Sequence, residues 1–311
     1  MKKKLNLIPV PLLPTMVGAC TLGNVYMGFG FTWLRNLIFV LAAVLVVFYI
    51  GKLVMNTETC KKEYDNTILC SLYGGFSMLL MLIGSFLFAY VPALGKGLWF
   101  AGVIIHAVHI CVFTYKNVLK GVQIPTFMPS WFVTYNGIMV AVVTGGAMNQ
   151  PMLTKIITYY GILIFTVIIP FMVWRLVKKP IGDAVYHTQA VLLAPCSLCV
   201  VSYLNAVENP NRVILYYLYA AVLLSLFFII YKLPSFFRFS FTPAFAGLTF
   251  PMAIGTVATG RFAGYLEAQN MVQAAGVLKQ LQGLQILLTT GIIFYVLLQF
   301  FILLKKNLQE A

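Results

Sequence analysis

Long apolar runs alternate with short polar connections along the whole chain, and ten can be drawn: residues 9–30, 33–54, 67–90, 93–118, 126–148, 151–175, 184–206, 213–233, 239–262 and 275–304. A helix crosses the hydrocarbon core of a bilayer with about 20 apolar residues, so each run is long enough for one span. Short connections make consecutive helices antiparallel neighbours. The longest polar stretches, near residues 55–66 and 267–273, are too short for a folded domain of their own. The pattern predicts an all-α polytopic membrane protein in which residues 1–311 form a single transmembrane domain.

A second pattern separates odd runs from even ones. The odd runs carry the helix breakers and small residues: Pro9, Pro11, Pro14, Gly18 and Gly23 in the first, Gly74 and Gly75 in the third, Pro129 and Gly137 in the fifth, Pro195 in the seventh, Pro251 in the ninth. The even runs are smooth, as in LAAVLVVFYI and LLSLFFIIY, with Pro170 in the sixth as the main exception. This places odd helices inside, around an axis, each backed by an outer helix facing lipid. The ninth run is the least like a plain span. Pro251 stands near the centre of residues 241–264, where it removes a backbone hydrogen bond and kinks the helix. Gly247, Gly255, Thr249, Thr256 and Thr259 surround it, and Phe250 precedes it. Broken helix at membrane depth is tolerated where it faces protein or lines a water-filled path. The stretch reads as a pore wall carrying an aromatic plug.

Composition agrees: the chain is 61% hydrophobic and 9% charged, with a mean hydropathy of +0.93. The net charge of +14 is a membrane signature here, not a nucleic-acid one, because lysines and arginines collect at span ends. With the N-terminus inside, fifteen basic residues fall on the cytoplasmic side, among them Lys2, Lys3, Lys4, Lys52, Lys116, Arg175, Lys232, Arg238 and Lys305. Only Arg35, Lys96, Lys155, Arg212, Arg261 and Lys279 fall outside. Both termini are therefore expected in the cytoplasm, in a multi-pass protein of a bacterial inner membrane. All four tryptophans lie near span ends, as interfacial anchors. Lys2, Lys3 and Lys4 before an apolar run ending at Cys20 mimic a cleaved signal, but Pro9, Pro11 and Pro14 interrupt it. Cys196 and Cys199 form a CxxC inside an apolar helix, read as two buried thiols and not as a redox pair.

The seven acidic residues, Glu58, Glu63, Asp65, Asp183, Glu208, Glu267 and Glu310, all lie in connections or at span ends. A cation or proton-coupled carrier generally keeps a carboxylate near the midplane; a pore with hydroxyls and basic vestibules instead lowers the barrier for an anion without trapping it. Arg261, Lys232 and Arg238 are candidate vestibule charges, with interface anchoring as the alternative. Ser202, Tyr203 and Thr249 are candidate pore-lining groups, or equally groups that satisfy a neighbouring helix. His106 and His109, one turn apart, read as structural histidines because no third ligand accompanies them, so no metal or other cofactor is expected. His187 starts the seventh run. No paired carboxylates near a histidine and no HExxH or GxSxG motif indicate an enzyme.

Three stretches resemble the tellurite-resistance/dicarboxylate transporter family, which includes bacterial TehA and the plant slow-type anion channels. They are Leu192, Leu193, Ala194 and Pro195 with Cys199, Val200, Ser202, Tyr203 and Leu204; Phe250, Pro251 and Met252; and Pro129, Ser130 and Trp131 with Gly137. The resemblance implies five helical hairpins in quasi-fivefold arrangement around a central pore, odd helices inner, assembled as a homotrimer. It implies that Phe250 occludes the pore and that Pro14, Gly75, Pro129, Pro195, Pro251, Thr249 and Gly255 line or bend it. Gly75 stands where the family pattern has a proline, which predicts a weaker bend in the third span. The expected function is a passive gated channel for small monovalent anions such as chloride or nitrate; the alternative is a secondary transporter of dicarboxylates such as malate, or an exporter of tellurite-type oxyanions.

Overall fold

A computed structural model describes residues 2–310, which are helical almost throughout, with no strand among the described residues. The α-helices are α1 (Lys2–Asn6), α2 (Leu12–Met27), α3 (Thr32–Met55), α4 (Thr57–Asp65), α5 (Thr67–Leu72), α6 (Gly74–Phe88), α7 (Pro92–Thr114), α8 (Trp131–Tyr135), α9 (Val140–Thr144), α10 (Pro151–Lys178), α11 (Leu193–Ala206), α12 (Arg212–Phe236), α13 (Thr249–Ala268) and α14 (Val272–Glu310). Among the described residues, seven helical segments are long and apolar enough to cross a membrane: Thr32–Met55, Thr67–Phe88, Pro92–Leu119, Pro151–Lys178, Asp183–Ala206, Arg212–Phe236 and Val272–Glu310. They make the chain a polytopic membrane protein.

The remaining three apolar runs are the first, fifth and ninth, and their breakers explain why they differ. The first is the 16-residue α2. The fifth is not one helix but α8, a 3-10 turn at Gly137–Met139, α9 and a second 3-10 turn at Gly146–Met148. The ninth divides into a 3-10 stretch, Pro243–Leu248, and α13. This corrects the placement of Pro251 at mid-helix. It is the third residue of α13, inside the first turn, where its missing N–H costs no helical hydrogen bond. Pro14 and Pro195 hold the same third position in α2 and α11.

Short links close the hairpins. The reversals between α2 and α3, before α10, and between α13 and α14 use left-handed backbone at Gly30 (φ 89°), Asn149 (φ 53°) and Asn270 (φ 60°), which glycine and asparagine tolerate best. The odd segments touch in a closed cycle: α2 packs on α6, α6 on α9, α9 on α11, α11 on α13, and α13 back on α2. Burial follows the same alternation. Segments Thr67–Phe88 and Asp183–Ala206 are 67% and 83% buried, whereas α3, α10, α12 and α14 are 28–33% buried. The outer helices expose apolar side chains such as Val47, Ile104, Leu163, Leu224 and Phe294. In water such a surface would aggregate; in lipid it costs nothing.

The polar connection at 55–66 folds into α4, which buries Cys60 and sends Glu63 back to Lys52 at 2.7 Å. Lys52 is fully buried and also donates to the Ile8 carbonyl at 2.8 Å, while the Tyr73 hydroxyl donates to Glu63 at 2.7 Å. One ion pair thus joins the approach to α2 with α3, α4 and the break between α5 and α6.

Candidate functional site

Phe250 lies where the five odd segments meet. Its side chain borders a cavity of only about 20 Å³, shared with Pro14, Met78, Phe132, Gly137 and Leu198, among others. Every one of the five odd segments contributes to that wall. Phe250 is 5% exposed. Its backbone is held by close approach. A methyl group on Gly18 of α2 would stand 2.7 Å from the Phe250 nitrogen, so only glycine lets the two helices meet there. Gly137 presents the same constraint to His106, at 2.7 Å from Cε1.

The other sequence-predicted positions fall around this centre. Gly75 packs against Pro14, and Gly255 against the Leu193 side chain. The third span does break without a proline, at Tyr73 between α5 and α6. Pro129 lies buried in the turn before α8, and Pro195 is buried in α11. For the hydroxyls the sequence left two roles open, pore lining or bonds to a neighbouring helix. Thr249 is fully buried and donates to the Ala246 carbonyl at 2.8 Å. Thr256 and Thr259 donate to Met252 and Gly255 carbonyls at 3.0 and 3.1 Å. Tyr203 accepts the Asn211 N–H at 2.9 Å, and Ser202 is fully buried. None of these borders the cavity at Phe250, whose wall is apolar. The threonine and tyrosine hydroxyls are taken up within or between helices, the usual fate of polar groups in lipid, while that of Ser202 is buried with no partner among the described residues.

Polar lining begins two helical turns further on. Pro14, Met78, Gly137, Leu198 and Phe250 border the constriction, and seven residues later in each segment Thr21, Ser85, Thr144, Asn205 and Val257 border a cavity of about 590 Å³. Seven residues bring a helix back to nearly the same face, about 10 Å along its axis. Arg35, Arg261, Asn24 and Gln282 complete this vestibule, and no aspartate or glutamate is in its described lining. Arg261 is exposed and also borders a neighbouring cavity with Glu208 and Arg212. The sequence marks Gly18 only as a small residue of an odd run and Arg35 only as a charge at a span end; their places beside Phe250 and the larger cavity come from the three-dimensional register.

At the opposite end the cations are engaged with aromatics. Arg238 lies 4.7 Å over the Phe239 ring, and the Lys232 ammonium lies 3.4 Å from the Tyr186 hydroxyl. His187 is fully buried, donates from Nε2 to the Phe236 carbonyl at 2.9 Å, and stacks 3.8 Å from Phe245.

The histidine pair binds neighbouring segments together. His106 lies between Ser77 Oγ (2.7 Å) and the Thr134 carbonyl (2.8 Å); His109 lies between the Tyr64 hydroxyl (2.7 Å) and Thr134 Oγ1 (3.1 Å). No cluster able to hold a metal ion occurs among the described residues. All six cysteines are free; Cys196 Sγ faces the carbonyls of Leu192 and Leu193.

A family model described as voltage-dependent anion channel matches residues 11–304. No curated protein matches the chain. The match covers every odd segment and both the small cavity at Phe250 and the larger one at Arg35, and it agrees with the resemblance carried by the motifs around Pro195 and Phe250. The chain belongs to the voltage-dependent anion channel family.

Proposed function

We propose that the protein is a passive, gated channel for small monovalent anions such as chloride and nitrate, with Phe250 as the plug of a central pore between ten helices in five hairpins. The observation that carries this reading is the wall around Phe250: one ring of side chains, drawn from all five odd segments, with almost no space left beside the aromatic ring. Above it a polar vestibule holds two arginines and no carboxylate among its described lining. An anion there meets hydroxyl, amide and guanidinium donors; a cation meets no counter-charge. The apolar constriction offers no tight anion site, which suits flux more than concentrative transport. The homotrimer, implied by the family resemblance alone, and the bacterial inner membrane and cytoplasmic termini, expected from the spans and their charge bias, form part of the same proposal.

The test is anion current in planar bilayers, parent beside Phe250→Ala, with reversal potentials in chloride, nitrate and malate. A silent parent and a conducting, anion-selective variant is the expected result. If neither conducts and proteoliposomes take up malate with proton movement, the protein is a carrier.

A further inference from the structure

We infer that Arg35 forms an anion-concentrating site in the vestibule, ahead of the plug; this rests on the pore reading above and specifies where the permeating ion is first held. Arg35 stands in the first turn of α3, and by sequence it is one of six basic residues at the outer span ends. Its surroundings set it apart. The Phe39 and Phe86 rings stack at 4.7 Å, and the Arg35 guanidinium lies over them, 4.9 Å from the Phe86 centroid and 5.2 Å from that of Phe39. Its Nε donates to Asn24 Oδ1 at 2.8 Å. Stacking on one face and this bond on one edge fix the plane of the group.

The guanidinium carries five N–H donors, and only the one on Nε has a partner among the described residues. The terminal nitrogens therefore keep their hydrogen-bonding capacity, beside a cavity of about 590 Å³ that holds no carboxylate in its described lining. Every ion pair of the chain's described residues lies elsewhere, at Lys52, Lys61, Lys116, Lys279 and Lys306. A cation with donors to spare, held over two phenylalanine rings beside a cavity with no acid in its described lining, raises the local concentration of anions. Ser85 and Asn205 face the same space as neutral donors and suit a small, partly hydrated anion, whereas the Thr21 and Thr144 hydroxyls beside them donate to the Val17 and Val140 carbonyls. Arg261 shares the cavity but is exposed, so salt screens it more.

The experiment compares single-channel conductance in the conducting Phe250→Ala background, with Arg35→Gln, Arg35→Lys, Arg261→Gln and Asn205→Asp added singly. At about 50 mM chloride Arg35→Gln should lower conductance roughly threefold, and at about 1 M the difference should shrink as screening and saturation set in. Arg35→Lys, which keeps the charge, should stay near the background value. Arg261→Gln should do less than Arg35→Gln. Asn205→Asp leaves Arg35 in place and tests the same field independently: it should also lower conductance at low chloride. A conducting background with conductance unchanged by Arg35→Gln and Asn205→Asp, or lowered equally at every chloride concentration, overturns the Arg35 site and leaves the pore intact. A Phe250→Ala variant that does not conduct overturns the pore and this site together.

Discussion

At the scale of single residues, the chain separates groups that hold the pore from groups that would shape its traffic. His106 is the clearest of the first kind. It is fully buried and bridges Ser77 on α6 to the Thr134 carbonyl on α8. Replacing it by alanine leaves that carbonyl unpaired inside the protein, a loss of about 1–3 kcal/mol. We expect His106→Ala to lower the unfolding midpoint in detergent, with anion selectivity unchanged in the Phe250→Ala background. Unchanged stability with altered conductance would make the histidine a participant in permeation. The structural role was legible in the sequence, because two histidines one turn apart had no third ligand. The partners were not, because Tyr64 and Thr134 lie far along the chain and meet the pair only after α4 and α8 are folded. The hydroxyls stayed open between two roles for a related reason. Thr249 sits beside Phe250 in sequence, yet as the first residue of α13 it bonds to Ala246. Gly18, noted in the sequence only as one small residue of an odd run, is what lets α2 meet the Phe250 backbone.

At the scale of elements, breakers and apolar texture carried most of the information. The smooth runs became the lipid-facing helices, and the broken ones became the buried cycle. What could not be read was where each break would fall. Pro251 kinks nothing; it starts a helix, and the irregularity lies in the 3-10 stretch before it. The connection at 55–66 was also more than a loop, since α4 brings Glu63 onto buried Lys52. That pair makes a prediction at this scale. Glu63→Gln leaves a lysine buried without its counter-charge, which costs about 3–5 kcal/mol when the site cannot relax. Lys52→Met with Glu63→Gln removes both charges and should recover more than half of the loss in unfolding midpoint. A double variant no more stable than Glu63→Gln alone would mean that α4 is held by something other than the pair.

At the scale of the whole molecule the question is which way the asymmetric pore faces. The cavity bordered by Arg35 and Arg261 lies toward the C-terminal ends of the odd helices, on one side of Phe250, and in the proposed channel the constriction opens to it. If the basic excess at the other end marks the cytoplasm, the vestibule faces outward and anions reach it from outside. Thiol chemistry can decide this, because five of the six cysteines are buried and the exposed one, Cys111, sits within α7. Gln273, exposed at the start of α14, and Glu58, exposed at the start of α4, lie at opposite ends of the odd helices. In intact cells a membrane-impermeant maleimide should label Gln273→Cys, and should label Glu58→Cys only after permeabilisation. The reverse pattern would turn the molecule over, place the arginines on the cytoplasmic side, and make the charge bias a property of the pore mouths and not of insertion. Conductance of the Phe250→Ala variant then supplies an independent check. Lowering chloride on the vestibule side alone should reduce current carried from that side more than the same change opposite, if Arg35 gathers the ion there as proposed.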